Sequence, residues 1–129
     1  MPKIFSDIEK DTQRNTLFKK GLQMIVERGY KNVTVDELVT LIGSSKGYFY
    51  RLFESKEEFF LQAISWQMTQ NLEILTAARS NGASTDELSQ LYRELFMQAS
   101  TINYMDMFYI YSKVSEAQWK QFRDFEESH

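Results

Sequence analysis

The sequence predicts an all-α protein, and three observations carry that reading. Chain breakers are scarce: the 129 residues hold five glycines and one proline, Pro2, and such scarcity points to helices. Apolar residues recur at spacings of three and four, the period of an amphipathic helix, with no alternating strand pattern of useful length. Three segments, Thr34–Glu37, Ser55–Glu58 and Ser84–Glu87, match the capping box. In that motif a Ser or Thr hydroxyl and a Glu three residues on satisfy the free N–H groups of a first turn.

The elements follow in order. A first helix is predicted over 8–28, with Ile8, Leu17, Phe18, Leu22, Ile25 and Val26 apolar and Gly29 as its C-cap. Thr34 opens a short second helix whose stripe is Val35, Leu38, Val39 and Ile42, ending at Gly43. Ser44 and Ser45 cap a third short helix from Lys46 to Phe53, which buries Phe49 and Phe53 at i,i+4. A long fourth helix runs from Lys56 to Arg79 with Phe59, Phe60, Ala63, Ile64, Met68, Leu72 and Leu75 inward. Ser80-Asn81-Gly82-Ala83 is the clearest break. A fifth helix from Ser84 carries Leu88, Leu91, Tyr92, Leu95 and Phe96 and extends to Thr101. Asn103 interrupts, Tyr104 to Tyr111 forms an aromatic sixth helix, and Ser115-Glu116-Ala117-Gln118 caps a seventh. Met105, Met107, Phe108 and Tyr109 have more apolar surface than one helix can bury, so a partner helix or further chain is expected to cover it.

Composition removes several function classes. With 43% hydrophobic and 26% charged residues, the chain matches soluble globular averages rather than disorder. It has no cysteine and one histidine, His129. Disulfide scaffolds, cysteine metal sites, thiol nucleophiles and histidine triads are thereby unsupported, and no metal or cofactor is expected. Asp106, Glu94 and Glu116 form no recognisable acid/base arrangement, so an enzyme is not expected. No apolar run approaches the roughly 18 residues of a membrane span, and no signal peptide is evident. A cytoplasmic protein without a membrane partner is the expectation. Net charge is −3, but residues 1–60 carry +1 and residues 61–129 carry −4. An acidic body leaves room for a local basic face.

Two short helices joined by a glycine turn have the spacing of a helix-turn-helix. Ser44, Ser45 and Lys46 open the second of them, where N–H groups and the helix dipole favour a phosphate. Gly47 permits close backbone approach, Tyr48 and Tyr50 offer large surfaces tipped with hydroxyls, and Arg51 adds charge. Thr34 and Lys56 lie at the starts of the helices on either side. Together these residues are expected to make a phosphate-clamping surface.

The run Gly29-Tyr30, Thr34-Val35-Asp36-Glu37-Leu38 and Gly43-Ser44-Ser45-Lys46-Gly47-Tyr48-Phe49-Tyr50-Arg51-Leu52-Phe53-Glu54-Ser55-Lys56-Glu57-Glu58-Phe59 closely resembles the N-terminal DNA-binding domain of the TetR family of transcriptional regulators. The resemblance covers roughly residues 12–60. It implies a three-helix helix-turn-helix domain over 1–55 and a helical ligand-binding and dimerisation domain over 56–129, shortened relative to the family. Helix 46–53 would enter the major groove, with Ser45, Lys46 and Tyr48 at bases and nearby phosphates. Tyr50 and Lys56 would contact the DNA backbone, and Thr34 would cap the second helix against it. Val39, Leu41 and Ile42 stand where the family often has alanines, Leu52 where His or Tyr is common, and Tyr48 where Thr is usual. The resemblance further implies a homodimer on an inverted-repeat operator and a repressor released by a small inducer. Trp66, Tyr92, Phe96, Tyr104, Met105, Phe108 and Tyr109 are candidates to line a pocket for an apolar or aromatic ligand. The alternative is a truncated helical interaction module that dimerises or binds DNA without ligand response.

Overall fold

The computed structural model describes residues 7–96 and 102–127. Among these residues there are six α-helices, one short 3₁₀ turn at Tyr30–Asn32, and no strand. The helices are α1 (Asp7–Arg28), α2 (Val35–Thr40), α3 (Lys46–Leu52), α4 (Lys56–Ser80), α5 (Thr85–Phe96) and α6 (Tyr104–Glu127). The all-α reading holds.

The core is gathered around Phe59 at the start of α4. Its ring lies 5.6 Å from Phe18 of α1, 5.5 Å from Phe49 of α3 and 5.0 Å from both Phe53 and Phe60. Tilted and edge-on ring pairs of this kind add about 0.5–1.5 kcal/mol each beyond area burial. Leu17, Ile25, Val33, Val35, Leu38, Val39, Ala63 and Ile110 complete the buried cluster. Gly21 is what lets α1 approach α4, since a Cβ there would sit 2.9 Å from the Phe59 ring.

All three capping hydroxyls are used as the sequence predicts. Thr34, Ser55 and Ser84 accept from the backbone N–H groups of Glu37 (3.1 Å), Glu58 (3.0 Å) and Glu87 (3.1 Å). Only Glu87 also reaches back, accepting from the Ser84 N–H at 3.3 Å. Asn103 caps α6, its Oδ1 accepting from the Met105 N–H at 2.7 Å.

Three expectations change. The sixth and seventh helices are one continuous α6, because nothing before Ser115 breaks the chain. Ile110 and Val114, both buried at i,i+4, hold one face through that point. The inward stripe of α4 passes through Asn71, which is buried, while Met68 and Leu72 are about half exposed. Ile8 is 79% exposed because the first turns of α1 run ahead of the core, which begins at Leu17. The end of the fifth helix at Thr101, and His129, lie outside the described residues.

Candidate functional site

The short α2 ends because its last N–H groups turn to i−3 carbonyls. Leu41, Ile42 and Gly43 donate to Leu38, Val39 and Thr40 at 3.1–3.2 Å, the tightening typical of a helix end. Gly43 then takes φ +63°, a left-handed conformation that costs a residue with a Cβ. The Ser44 N–H returns to the Val39 carbonyl at 2.9 Å. This reversal delivers Ser45 in extended conformation as the N-cap of α3, its Oγ accepting from the Tyr48 N–H at 3.3 Å. Phe49 and Phe53 anchor α3 in the core, at 0% and 2% exposure.

What α3 leaves outside is therefore fixed. Ser45, Lys46 and Gly47 are exposed, and Tyr50 is 52% exposed with its ring edge-on to Phe49 at 5.2 Å. Ser44 and Tyr48 are half-buried, and Thr34 is exposed. Thr34 spends its hydroxyl proton on Glu37, donating to Oε1 at 3.0 Å. Lys46 pairs with Asp36 of α2 at 3.2 Å, both side chains exposed; such a pair contributes about 0–1 kcal/mol and yields easily to a stronger partner.

Lys56 is placed differently from the other predicted cations. Its Nζ donates to the Tyr30 carbonyl at 2.8 Å and lies 3.9 Å from the Tyr30 ring centroid. Burial draws its pKa down, while the charges of Glu57, Asp106 and Glu37 push it up. The Tyr30 N–H in turn donates to Asp106 of α6 at 3.0 Å. The sequence marks Tyr30 only through the Gly29-Tyr30 pair of the family resemblance and does not mark Asp106 as a partner of this loop. The two residues are 76 apart, and no local pattern reports a contact so distant along the chain.

The residues expected to line a ligand pocket are dispersed. A cleft of about 900 Å³ opens between α1, α4, α5 and α6, and Phe96 and Tyr104 line it. Its remaining walls include Leu22, Val26, Ile64, Gln67, Asn71 and Met107. Tyr92 stacks on Phe96 at 4.9 Å but lines a separate groove between α4 and α5. Trp66 packs on Phe18 at 5.9 Å at the margin of the core. Tyr109 packs on Tyr30 at 5.1 Å, and Met105 and Phe108 are 73% and 70% exposed. The cleft's polar pair was missed: Gln67 donates to Asn71 Oδ1 at 3.0 Å, and Asn71 donates to the Leu95 carbonyl at 3.4 Å. The available signal was a polar residue at 71, three residues after Met68 and four before Leu75 on the α4 stripe.

Comparison with known proteins agrees with this geometry. Residues 17–63 match the family described as "Bacterial regulatory proteins, tetR family". The chain is 34% identical over 68 residues to the transcriptional regulator AcuR of Cereibacter sphaeroides, covering 53% of this chain and 31% of that protein. It is 44% identical over 46 residues to the HTH-type transcriptional repressor DhaR of Mycobacterium sp. strain GP1, covering 36% and 23%. The chain thus spans less than a third of the length of either relative. No solved structure matches. Residues 17–63, which hold α2, the Gly43 turn and α3, are thus similar to the tetR-family regulators over the helix-turn-helix.

Proposed function

We propose that the chain is a transcriptional repressor that binds an inverted-repeat operator as a homodimer and is released by a small apolar or aromatic ligand. The observation that carries this reading is the start of α3: Ser45, Lys46 and Gly47 stand exposed while Phe49 and Phe53 clamp the helix from behind. Ser45, Lys46 and Tyr48 read bases and adjacent phosphates. Thr34, Ser44, Gly47, Tyr50 and Lys56 hold the DNA backbone. Phosphate contacts set position and affinity, and base contacts set sequence choice. A dimer places two recognition helices in successive major grooves, about 34 Å apart. The repressor sign is supported by the name of DhaR.

The cleft between α1, α4, α5 and α6 is the proposed ligand site, its walls mainly apolar, with the Gln67–Asn71 pair inside and Lys19, Gln23, Glu27 and Glu94 also lining it. A ligand there touches α1 of the DNA-binding domain as well as α4, α5 and α6. It biases DNA affinity insofar as it binds two arrangements of these helices unequally. The working division of the chain falls at 55/56. Phe59, Phe60 and Ala63 of α4 nevertheless belong to the core that holds α3, so α4 is common to both halves.

Selection from a pool of random duplexes, with the mass of the protein–DNA species read by light scattering, tests the proposal. An inverted repeat recovered by a dimer is expected. Recovery of no motif at low or moderate salt would overturn the operator reading.

A further inference from the structure

We infer that Asp106, on α6, is a positioning residue that holds Lys56 away from DNA and so lowers operator affinity. The inference rests on the proposed role of Lys56 as a phosphate contact.

Tyr30 is the shared element. Its N–H donates to Asp106 Oδ2 at 3.0 Å, and its carbonyl accepts from Lys56 Nζ at 2.8 Å. The same ammonium sits 3.9 Å from the Tyr30 ring centroid, and that ring packs on Tyr109 of α6 at 5.1 Å and Phe60 of α4 at 5.9 Å. Residue 30 is thus fixed by α6 on its amide side and its ring. Lys56 is fixed by residue 30. The Asp106 carboxylate also acts on Lys56 directly through its charge, together with Glu57 and Glu37.

A phosphate must compete with this arrangement. The Lys56 head is half-buried and engages both the carbonyl and the ring face. Cation–π contact and a charged hydrogen bond strengthen as water is excluded. To bind DNA fully, Lys56 gives up at least one of them. Asp106 makes that release harder by attraction and by keeping residue 30 in place. Because Asp106 belongs to α6, any shift of α6 against the 3₁₀ turn changes how much Lys56 is available. The coupling needs only the two hydrogen bonds made by the backbone of one residue, Tyr30, through its N–H and its carbonyl.

The test is a double-mutant cycle on the full chain: wild type, Asp106→Asn, Lys56→Met, and the double variant. Duplex binding is measured across a salt series. Asp106→Asn is expected to bind DNA three- to tenfold tighter, and Lys56→Met to reduce the salt slope by about one. In the double variant the gain from Asp106→Asn should vanish. A gain that survives without Lys56 is general charge removal and overturns the inference. So does an unchanged affinity of Asp106→Asn when Lys56→Met alone lowers the slope; there the phosphate contact stands and only the positioning role fails. If Lys56→Met leaves the slope unchanged, the phosphate contact and the inference fall together. A readout without DNA is the rate at which an amine-reactive ester acylates Lys56, followed by mass spectrometry. Asp106→Asn should accelerate it severalfold relative to the other lysines; an equal rate overturns the inference even if the variant binds DNA poorly.

Discussion

Lys46 and Lys56 illustrate how one residue type takes two physical roles within ten positions. Lys46 is 57% exposed and pairs with Asp36, also exposed, so its ammonium exchanges partners at little cost. Lys46→Ala is expected to weaken binding to operator and random duplexes alike and to lower the salt slope by about one, as one lost phosphate contact does. A salt titration that returns the wild-type slope would remove it from the contact surface. Tyr48 is half-buried beside it on α3. If it reads a base edge, Tyr48→Ala should change the selected sequence while leaving the slope intact, which repeated selection would reveal. Glu37 supplies a pH test. Hydrogen bonds from Arg28 and Thr34 hold its carboxyl below the usual carboxylate range. A carboxyl whose folded pKa is depressed stabilises the fold above its unfolded value, and the effect is lost as pH falls through the folded value. Glu37→Gln should therefore narrow the difference in melting temperature between pH 6 and pH 3; an undiminished difference assigns the acid sensitivity elsewhere. At this scale the sequence was informative about Ser45, Lys46, Phe49 and Phe53. It was silent about the two bonds made by residue 30, because their partners lie on α4 and α6.

Three helix beginnings were legible and a fourth, expected at Ser115, does not exist. Thr34, Ser55 and Ser84 cap where their hydroxyls and following glutamates predict. A Ser-x-x-Gln motif at 115 starts nothing, since capping requires a preceding residue outside the helix and α6 is already formed there. Burial of Ile110 and Val114 along one face outweighs the local signal. Asn71 was only partly legible: its place on the α4 stripe was visible, but its burial is made acceptable by Gln67 and by the Leu95 carbonyl, and the second of these is remote in sequence. The turn between α2 and α3 depends on Gly43 at φ +63°. Gly43→Val is expected to cost about 1–3 kcal/mol through backbone strain, read as a lower urea midpoint with an unchanged m-value. Open space surrounds that position, so full stability would mean that the turn relaxes without penalty. Gly21 fails differently. Its Cβ would meet the Phe59 ring at 2.9 Å, so Gly21→Ala should cost about 1–3 kcal/mol by overpacking, with no dependence on backbone φ. A thermal melt equal to wild type would show that α1 and α4 separate freely.

The whole molecule joins the helix-turn-helix to the later helices through α4, whose first turns supply Phe59 and Phe60 to the core behind α3 and whose later turns line the cleft. All-α class, the helix-turn-helix and its glycine turn were readable because they depend on local period, caps and breakers. The cleft was not, because its walls come from four helices whose relative rotation no single periodicity encodes. Aromatic content drew attention to Met105 and Phe108, which the fold leaves on the outside of α6. Charge was misleading only in aggregate: the chain is acidic overall, yet the start of α3 presents Lys46 at the surface. The exposed start of α3 is the proposed DNA-reading surface. The most direct measurement is an amide chemical-shift map of the isotope-labelled protein during titration with a duplex recovered by selection. The largest changes are expected at residues 44–50 and around Lys56, saturating together with the binding curve. Changes confined to α5 and α6, or spread evenly over the chain at stoichiometric DNA, would contradict it.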